Sequence, residues 1–188
     1  MTPTLPAAVR ALAAGDLVVY PTDTLLGLGA RAADRSAILR LEAAKGRPGG
    51  QPISVAVSSV PELEALGALA PSARRFVRTH LPGPYTVFLR PSPLARRTLA
   101  PRLFAADGSL GVRVPDHSVA RELARRVGPI TATSANRHGA APGRTPAEAR
   151  RAFGRDVRVY LPARPAPSGS PSTLIDLTGA HPRPVARK

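Results

Sequence analysis

Short apolar runs alternate with amphipathic stretches along the 188-residue chain, and this alternation limits the fold more than any other feature. The runs at 16–20, 52–57 and 85–90 (DLVVY, PISVAV and YTVFLR) are typical of buried strands. The stretch at 34–46 has apolar residues at helical spacing. Strands that alternate with helices predict one α/β domain over residues 1–188, built on a mixed β-sheet.

The same patterns predict the remaining elements. Further helices are expected at residues 5–15, 61–69, 71–80, 117–128 and 145–154. Further strands are expected at residues 109–115, 129–134, 157–162, 172–178 and 184–188. Asp34 is placed to cap the helix at 34–46, and Gly46 to end it. The segment 163–172, rich in proline and serine, is expected to be a loop, and its composition does not decide whether it moves.

Composition excludes several kinds of protein. The chain has no cysteine, which removes disulfides, thiolate metal sites and cysteine nucleophiles. Its four histidines are far apart and lack the spacing of metal ligands. No apolar run approaches the roughly 18 residues of a membrane helix, and the N-terminus lacks the pattern of a signal peptide. We therefore expect a cytoplasmic protein with no membrane partner.

The formal net charge of +15 would attract polyanions such as nucleic acids or nucleotides. The arginines are scattered, however, and no aromatic residues are interleaved with them. An overall abundance of Arg, Ala, Pro and Gly explains the charge equally well. The charge alone therefore leaves open whether the partner is a macromolecule.

Polar side chains follow several of the predicted strands and one predicted helix. They are Thr22, Asp23 and Thr24, then Lys45 and Arg47, then Arg113, and finally Thr133, Ser134 and Asn136. Open α/β sheets bind ligands at the carboxyl ends of their strands, so these groups predict a polar cavity for a polyphosphate and a small polar metabolite. Lys45 is notable because the only other lysine is Lys188.

The stretch GLGARA (27–32) matches a dinucleotide-binding fingerprint but lacks its context. In that fingerprint the glycines directly follow a strand and open a helix. Here PTDTLL (21–26) lies between the strand and the glycines, and no acidic residue follows about 20 residues later. We do not expect a dinucleotide site.

Six motifs, PTDT..GLG, KGRP...P, PGPYTVFL, GVRVPDH, TSAN..G and PSTLIDLT, occur in an order and spacing that resemble the YrdC/TsaC family of threonylcarbamoyl-AMP synthases. The resemblance extends over about residues 10–187. It implies an α/β (α+β) fold in which a twisted mixed sheet, flanked by helices, surrounds a large basic concave cavity. The chain resembles the short, single-domain members of the family.

The resemblance implies a defined reaction. L-threonine and bicarbonate or CO₂ give a carbamate, which attacks the α-phosphate of ATP and releases pyrophosphate. The product, threonylcarbamoyl-AMP, serves a downstream threonylcarbamoyl-transferase complex that modifies adenosine 37 of tRNA. Mg²⁺ is expected to be bound mainly through the ATP phosphates, and the chain itself to supply no metal ligands.

The resemblance also assigns the site residues. Lys45 and Arg47 are implied to be the catalytic cations, since lysine is a compact point charge and arginine can bind two phosphate oxygens at once. The residues implied to bind ATP are Lys45, Arg47, Arg113, Ser134, Asn136 and Arg187. The residues implied to bind threonine are Thr22, Thr24, Ser134 and Ser172.

The sequence departs from the family pattern at four points. Leu26 stands where many members have an aromatic residue, and Ala56 where many have a histidine. Both changes leave the strictness of threonine selection open. His138 replaces a small hydroxyl residue, and the chain ends at Lys188 where many relatives continue with glycine.

Three other functions compete with the synthase. An RNA-binding or ribosome-associated protein of the same fold, with tRNA or double-stranded RNA as its partner, would explain the positive charge. The related carbamoylation domain of hydrogenase maturation is disfavoured by the short chain without cysteines. Dihydroxybutanone-phosphate synthase is disfavoured because its acidic metal-binding motif is not apparent here.

Overall fold

The computed structural model of the chain describes residues 3–47 and 51–186. Within these ranges the α-helices are α1 (Leu5–Ala13), α2 (Arg35–Lys45), α3 (Val60–Leu66), α4 (Pro71–His80), α5 (Pro93–Thr98), α6 (Ser118–Val127) and α7 (Pro146–Phe153). The strands are β1 (Val18–Tyr20), β2 (Gly27–Gly29), β3 (Val55–Ala56), β4 (Gly67–Ala68), β5 (Tyr85–Pro91), β6 (Leu110–Arg113), β7 (Ile130–Thr131), β8 (Thr133–Ser134), β9 (Val159–Tyr160), β10 (Thr173–Asp176) and β11 (Arg183–Val185).

These strands form two mixed sheets. The smaller sheet has the order β8-β2-β1-β9, in which β1 is antiparallel to β2 and parallel to β9. The larger sheet has the order β11-β10-β5-β6-β3-β7, and β4 pairs with β5 beside this path. Its pairs β10–β5 and β3–β6 are parallel, whereas β5–β6 and β3–β7 are antiparallel. The predicted α/β class with mixed strand directions is confirmed.

The sequence predicted one sheet, but the described strands form two. The segment 129–134, expected as a single strand, is divided between these two sheets. Val55 of β3 pairs with Thr131 of β7, and Leu28 of β2 pairs with Thr133 of β8. The chain therefore passes from one sheet to the other at Ala132. The Thr131 hydroxyl strengthens this junction, because it accepts from the Ala30 amide and donates to the Leu28 carbonyl.

Strand β2 was not expected from the sequence, since its Gly-Leu-Gly composition is poor for a strand. Its register with β1 lays the ring of Tyr20 across the glycines, and a Cβ added at Gly27 would lie 2.7 Å from Tyr20 Cζ. Glycine is therefore needed for close packing, and these residues open no helix. This agrees with the prediction that GLGARA is not a dinucleotide loop.

Helix α2 begins and ends as its sequence predicts. Asp34 Oδ1 accepts the Ala37 amide at 2.9 Å, and Gly46 ends the helix in the left-handed region with φ of 60°. These caps fix Lys45 as the last helical residue, so its side chain leaves the helix beside the strand ends. No helix in the described part of the chain is long and apolar enough to cross a membrane.

A candidate active site between the two sheets

Residues of both sheets line one cavity of about 730 Å³. Six of the residues predicted from the sequence to bind substrates contribute to its wall: Thr22, Thr24, Arg47, Arg113, Ser134 and Ser172. They come from five separate segments of the chain, so the fold brings together groups that the sequence keeps apart. The predicted Arg187 lies outside the described residues.

Arg113, at the end of β6, is held by two short hydrogen bonds. Its Nη2 donates to Asp23 Oδ1 at 2.7 Å, and its Nη1 donates to Thr24 Oγ1 at 2.8 Å. Only 6% of the residue is exposed. Burial lowers the pKa of Arg113, and Asp23 opposes that shift. A buried guanidinium with a carboxylate partner stays charged, so this pair fixes the wall around Thr24.

Thr22 and Thr24 form a buried turn after β1. The Thr22 hydroxyl donates to the Leu25 carbonyl at 2.6 Å and accepts the amides of Thr24 and Leu25. The two threonine hydroxyls lie 3.1 Å apart. Thr22 is therefore largely occupied in holding the turn, whereas Thr24 Oγ1 connects the turn to Arg113. The turn presents a fixed pair of hydroxyl groups to the cavity.

Lys45 is tied to the segment that follows β8. Its Nζ donates to the carbonyl of Ser134 at 2.6 Å and to that of Asn136 at 2.7 Å. Only 4% of the residue is exposed, and burial, with a smaller effect of Arg47, lowers the pKa of Lys45 to about 8. Two of the three donors of the ammonium group are thus in use, and Lys45 lies behind the lining residue Ser134 rather than in the cavity wall itself. The structure thus gives Lys45 a positioning contact that the sequence did not suggest.

Further bonds join the same two segments. The His138 amide donates to the Lys45 carbonyl at 2.7 Å, and Arg137 Nη1 donates to the Ala44 carbonyl at 3.0 Å. Within the second segment, the side-chain amide of Asn136 donates to the carbonyls of Arg137 and Ala140. Four hydrogen bonds therefore connect the end of helix α2 to residues 134–138, and we call these two segments together the lysine clamp. His138 itself lines the cavity.

Arg47 lines the cavity just beyond the end of α2. Its Nη2 donates to the Pro52 carbonyl at 2.9 Å, and it has no carboxylate within 4.0 Å among the described residues. Burial lowers its pKa and the more distant Glu42 opposes the shift. Glu42 is instead paired with Arg102 at 2.7 Å. Among the described residues, the Pro52 carbonyl is the one hydrogen-bond acceptor of the Arg47 guanidinium, which supports a role for its other donors in binding an anion.

Ser172 lies at the end of the loop 163–172, which we call the strap. Its hydroxyl is 2.8 Å from Thr86 Oγ1. The strap is seated on the threonine turn, since the Ser168 amide donates to the Asp23 carbonyl at 3.1 Å and the Gly169 amide to the Thr24 carbonyl at 2.9 Å. The strap, a loop as predicted, thus closes one side of the cavity in this structure.

Several lining residues were missed by the sequence reasoning. They are mainly apolar or backbone-contact positions, such as Ile53, Ser54, Phe88, Pro171 and Leu174. Nothing in a strand sequence separates a residue that faces a cavity from one that faces the core. Within the described ranges, no group of three or more His, Asp or Glu side chains could hold a metal ion.

Comparison with known proteins agrees with the motifs. The family model of the Sua5/YciO/YrdC domain, described as "Telomere recombination", matches residues 10–188. A protein of Mycobacterium tuberculosis is 42% identical over 94% of this chain and 80% of its own length. A threonylcarbamoyl-AMP synthase of Thiobacillus denitrificans is 37% identical over 87% of this chain and 85% of its own length.

A solved structure is similar in fold as well. The crystal structure of P. abyssi Sua5 complexed with L-threonine superimposes with a TM-score of 0.85 at 30% identity. The match covers 96% of this chain but only 52% of that protein, so the chain corresponds to about half of it. The ordered motifs, the family model and the fold lead to the same conclusion: the chain belongs to the Sua5/YciO/YrdC family.

Proposed function

We propose that the chain is a threonylcarbamoyl-AMP synthase, which forms threonylcarbamoyl-AMP and pyrophosphate from L-threonine, bicarbonate or CO₂, and ATP. The main support is the shared cavity, where Arg47 and Arg113 meet the hydroxyl-bearing residues Thr22, Thr24 and Ser134. Such a lining matches a polyphosphate and a hydroxylated amino acid. Relatives that carry the synthase name cover most of this chain.

The reaction needs charge stabilisation more than it needs a covalent intermediate. A carbamate oxygen of N-carboxythreonine attacks the α-phosphorus, a new P–O bond forms, and the bond to the leaving pyrophosphate breaks. Arg47 binds phosphate oxygens and stabilises the negative charge that develops on them. Mg²⁺, bound mainly through the ATP phosphates, neutralises part of the same charge.

Lys45 contributes in two ways in this proposal. Two of its donors fix the carbonyls of Ser134 and Asn136, so the lysine clamp shapes the nucleotide side of the cavity. Its third donor and its charge act on the phosphates, close to Arg47. A lysine suits this role because a compact ammonium group can bind several acceptors from a buried position.

The threonine side of the cavity is proposed to be the turn of Thr22 and Thr24, together with Ser172. Leu26 and Ala56, the two departures from the family pattern, differ in location. Leu26 lines the cavity, whereas Ala56 is fully buried in the core cluster that contains Tyr20. Leu26 is therefore expected to affect the choice of amino-acid substrate more than Ala56 does.

We further propose that the product is passed to a threonylcarbamoyl-transferase complex for modification of tRNA adenosine 37. The product is a mixed anhydride that water can hydrolyse, so a receiving enzyme must act on it quickly. A cytoplasmic location follows from this proposal, since tRNA is its final acceptor.

The direct test is pyrophosphate release from ATP and Mg²⁺, with L-threonine and bicarbonate added separately and together. Release that requires both is expected for the wild type, and Arg47→Ala should lower it on the order of 100-fold. Arg78→Ala is the matched control, because Arg78 is an exposed arginine whose ion pair, within the described parts of the chain, is with Glu64. Pyrophosphate release with L-serine or L-valine in place of L-threonine measures how strictly the cavity, which Leu26 lines, selects the amino acid.

Two results would contradict the proposal. Equal release without threonine would indicate an ordinary ATP pyrophosphohydrolase. No release under any condition, from protein that binds tRNA with a strong salt dependence, would favour the RNA-binding function instead.

A further inference from the structure

Arg137, the residue after Asn136 in the lysine clamp, holds the ends of two helices with one side chain. Its Nη1 donates to the Ala44 carbonyl at 3.0 Å, in the last turn of α2. Its Nε donates to the Ala152 carbonyl at 2.9 Å, in the last turn of α7. Carbonyls at a helix C-terminus lack partners within the helix and carry partial negative charge, so a guanidinium suits both ends at once.

The other contacts of the Arg137 side chain are weaker. Its guanidinium carbon lies 5.9 Å from the centre of the Phe153 ring, and its Nη2 lies 3.5 Å from Asp156 Oδ2. Both side chains of this ion pair are about half exposed, so water screens the pair and it stabilises little. The two helix carbonyls are therefore the main partners of Arg137, and through them the side chain joins α7 to α2.

The last four carbonyls of α2 all have partners. The carbonyls of residues 42 and 43 accept amides of the chain that leaves the helix, at 3.1 and 3.0 Å. The carbonyls of Ala44 and Lys45 accept from the Arg137 side chain and from the His138 amide. Arg137 is thus the one described residue that holds this helix end by a side-chain donor, and this contact can be removed by substitution without a change in the backbone.

The held end of α2 leads directly to a residue of the cavity wall. Arg47, which lines the cavity, is separated from the helix only by Gly46, whose φ is 60°. So short a connection transmits any shift of the helix end to Arg47 and changes where its guanidinium meets a bound phosphate. A displacement of about 1 Å at a reacting centre lowers rates on the order of 100-fold, so the position of this helix end matters for the proposed reaction.

We propose that Arg137 is a positioning residue: by fastening the last turn of α2 to the last turn of α7, it fixes the direction in which Arg47 enters the cavity. Arg137 acts through α2 and does not itself touch a substrate. The effect on turnover rests on the proposed function, whereas the fastening of the two helices rests on the hydrogen bonds alone.

A double-mutant cycle in kcat/KM for pyrophosphate release tests the action through Arg47. Arg137→Met should lower kcat/KM about tenfold in the wild-type background. In the Arg47→Ala background the same change should cost less than about twofold, because the guanidinium that Arg137 positions is gone. A purely structural role would give equal factors in the two backgrounds. Equal factors would therefore overturn the proposal, as would full activity in Arg137→Met.

Two further variants separate the helix contacts from packing and charge on α7. Arg137→Lys should recover part of the activity, since an ammonium group can reach one of the carbonyls but cannot bridge both as a guanidinium does. Arg150→Met is the matched control, because Arg150 also lies on α7 and its guanidinium carbon is 4.4 Å from the centre of the Tyr160 ring, with no side-chain hydrogen bond to α2 within the described ranges. It should keep kcat/KM within about twofold of the wild type. A tenfold fall in Arg150→Met would assign the effect to the packing of α7 and overturn the proposal.

Amide hydrogen exchange in the unliganded protein tests the fastening without turnover. The reporter is the His138 amide, which donates to the Lys45 carbonyl at 2.7 Å, and the control is the Leu161 amide, which is bonded to β1 at 2.9 Å. Arg137→Met should speed exchange at the reporter about tenfold relative to the control, and Arg150→Met should not. Unchanged relative exchange in Arg137→Met would overturn the proposal. If the wild type shows no synthase activity, the proposed function fails, and the exchange result still decides whether Arg137 fixes the end of α2.

Discussion

The two buried cations of the candidate site, Lys45 and Arg113, are stabilised in opposite ways. Arg113 has a carboxylate partner, Asp23, at 2.7 Å and a threonine hydroxyl at 2.8 Å. Lys45 has two backbone carbonyls at 2.6 and 2.7 Å, and no carboxylate within 4.0 Å among the described residues. One charge is neutralised inside the protein, whereas the other is only hydrogen-bonded.

This difference indicates that Arg113 mainly stabilises the structure of the cavity wall, whereas Lys45 mainly contributes positive charge. The pair of Arg113 and Asp23 adds little net field, so its main effect is to fix the turn that carries Thr24. In the proposed function, the charge of Lys45 adds to that of Arg47, which lines the cavity, and together they attract anionic phosphates. Burial and Arg47 together lower the pKa of Lys45 to about 8, which shows how little the protein itself stabilises this charge.

The largest expected effect is on stability, at the neutralised pair. Arg113→Ala should lower the free energy of unfolding by about 3–5 kcal/mol, because it leaves the Asp23 carboxylate buried without its partner. Urea denaturation followed by circular dichroism measures the change. The double variant Asp23→Asn/Arg113→Met, which removes both charges, should lose less than Arg113→Ala alone. A loss below about 1 kcal/mol in Arg113→Ala would mean that Asp23 is well solvated.

The next largest effect is on activity, and substitutions at Arg47 and Lys45 are expected to differ in how much stability they also cost. Arg47→Ala should lower kcat/KM on the order of 100-fold. Its free energy of unfolding should change by less than about 1 kcal/mol, since the one side-chain bond of Arg47 to a described residue is that to the Pro52 carbonyl. Lys45→Met should lower activity and also cost about 1–3 kcal/mol, because two carbonyls of the lysine clamp lose their donor. Equal destabilisation by the two variants would mean that Arg47 stabilises the fold as much as Lys45 does.

These roles mark the limit of what the sequence could predict. The caps at Asp34 and Gly46 placed Lys45 at a helix end correctly, because capping is local chemistry. Of the nine predicted site residues, six line one cavity; Lys45 and Asn136 do not line it, and Arg187 lies outside the described residues. The family named from six short motifs is confirmed, since motif order and spacing depend on the whole site.

What the sequence could not predict depends on long-range pairing. The bonds from Lys45 to residues 134 and 136 span about 90 positions, and no local pattern indicates them. Strand β2 was missed because its glycines have low strand propensity and are required only by the ring of Tyr20 across the sheet. The passage of residues 129–134 from one sheet to the other likewise depends on two distant partners, β3 and β2.

The uncompensated charge also predicts a pH dependence that Arg113 should lack. The folded pKa of Lys45, about 8, is below its ordinary value of 10.5. Between these pH values the unfolded chain holds a proton that the folded chain has released, so this group makes folding more favourable as the pH rises. ATP binding should show the opposite trend, since the phosphates need the ammonium form.

We therefore expect KM for ATP to rise severalfold between pH 7.5 and pH 9 in the wild type, and much less in Lys45→Met. Calorimetry of ATP binding at pH 8 in buffers of different ionisation enthalpy should detect uptake of a proton. Binding without proton uptake would mean that Lys45 is already fully charged in the free protein, and its charge would then be as well stabilised as that of Arg113.

The smallest expected effect concerns His138, which joins the lysine clamp through its backbone. Its amide, not its imidazole, donates to the Lys45 carbonyl at 2.7 Å, so any residue except proline can make this bond. His138→Ser should therefore change the free energy of unfolding by less than about 0.5 kcal/mol, as for other surface substitutions, and kcat/KM by less than about threefold. Steady-state pyrophosphate release with varied ATP measures the second value. The ring of His138 lines the cavity, however. If KM for ATP rose more than about tenfold, which corresponds to about 1.4 kcal/mol of binding free energy, the imidazole would have to contact the nucleotide. His138 would then join Lys45 and Arg47 as a residue that binds ATP.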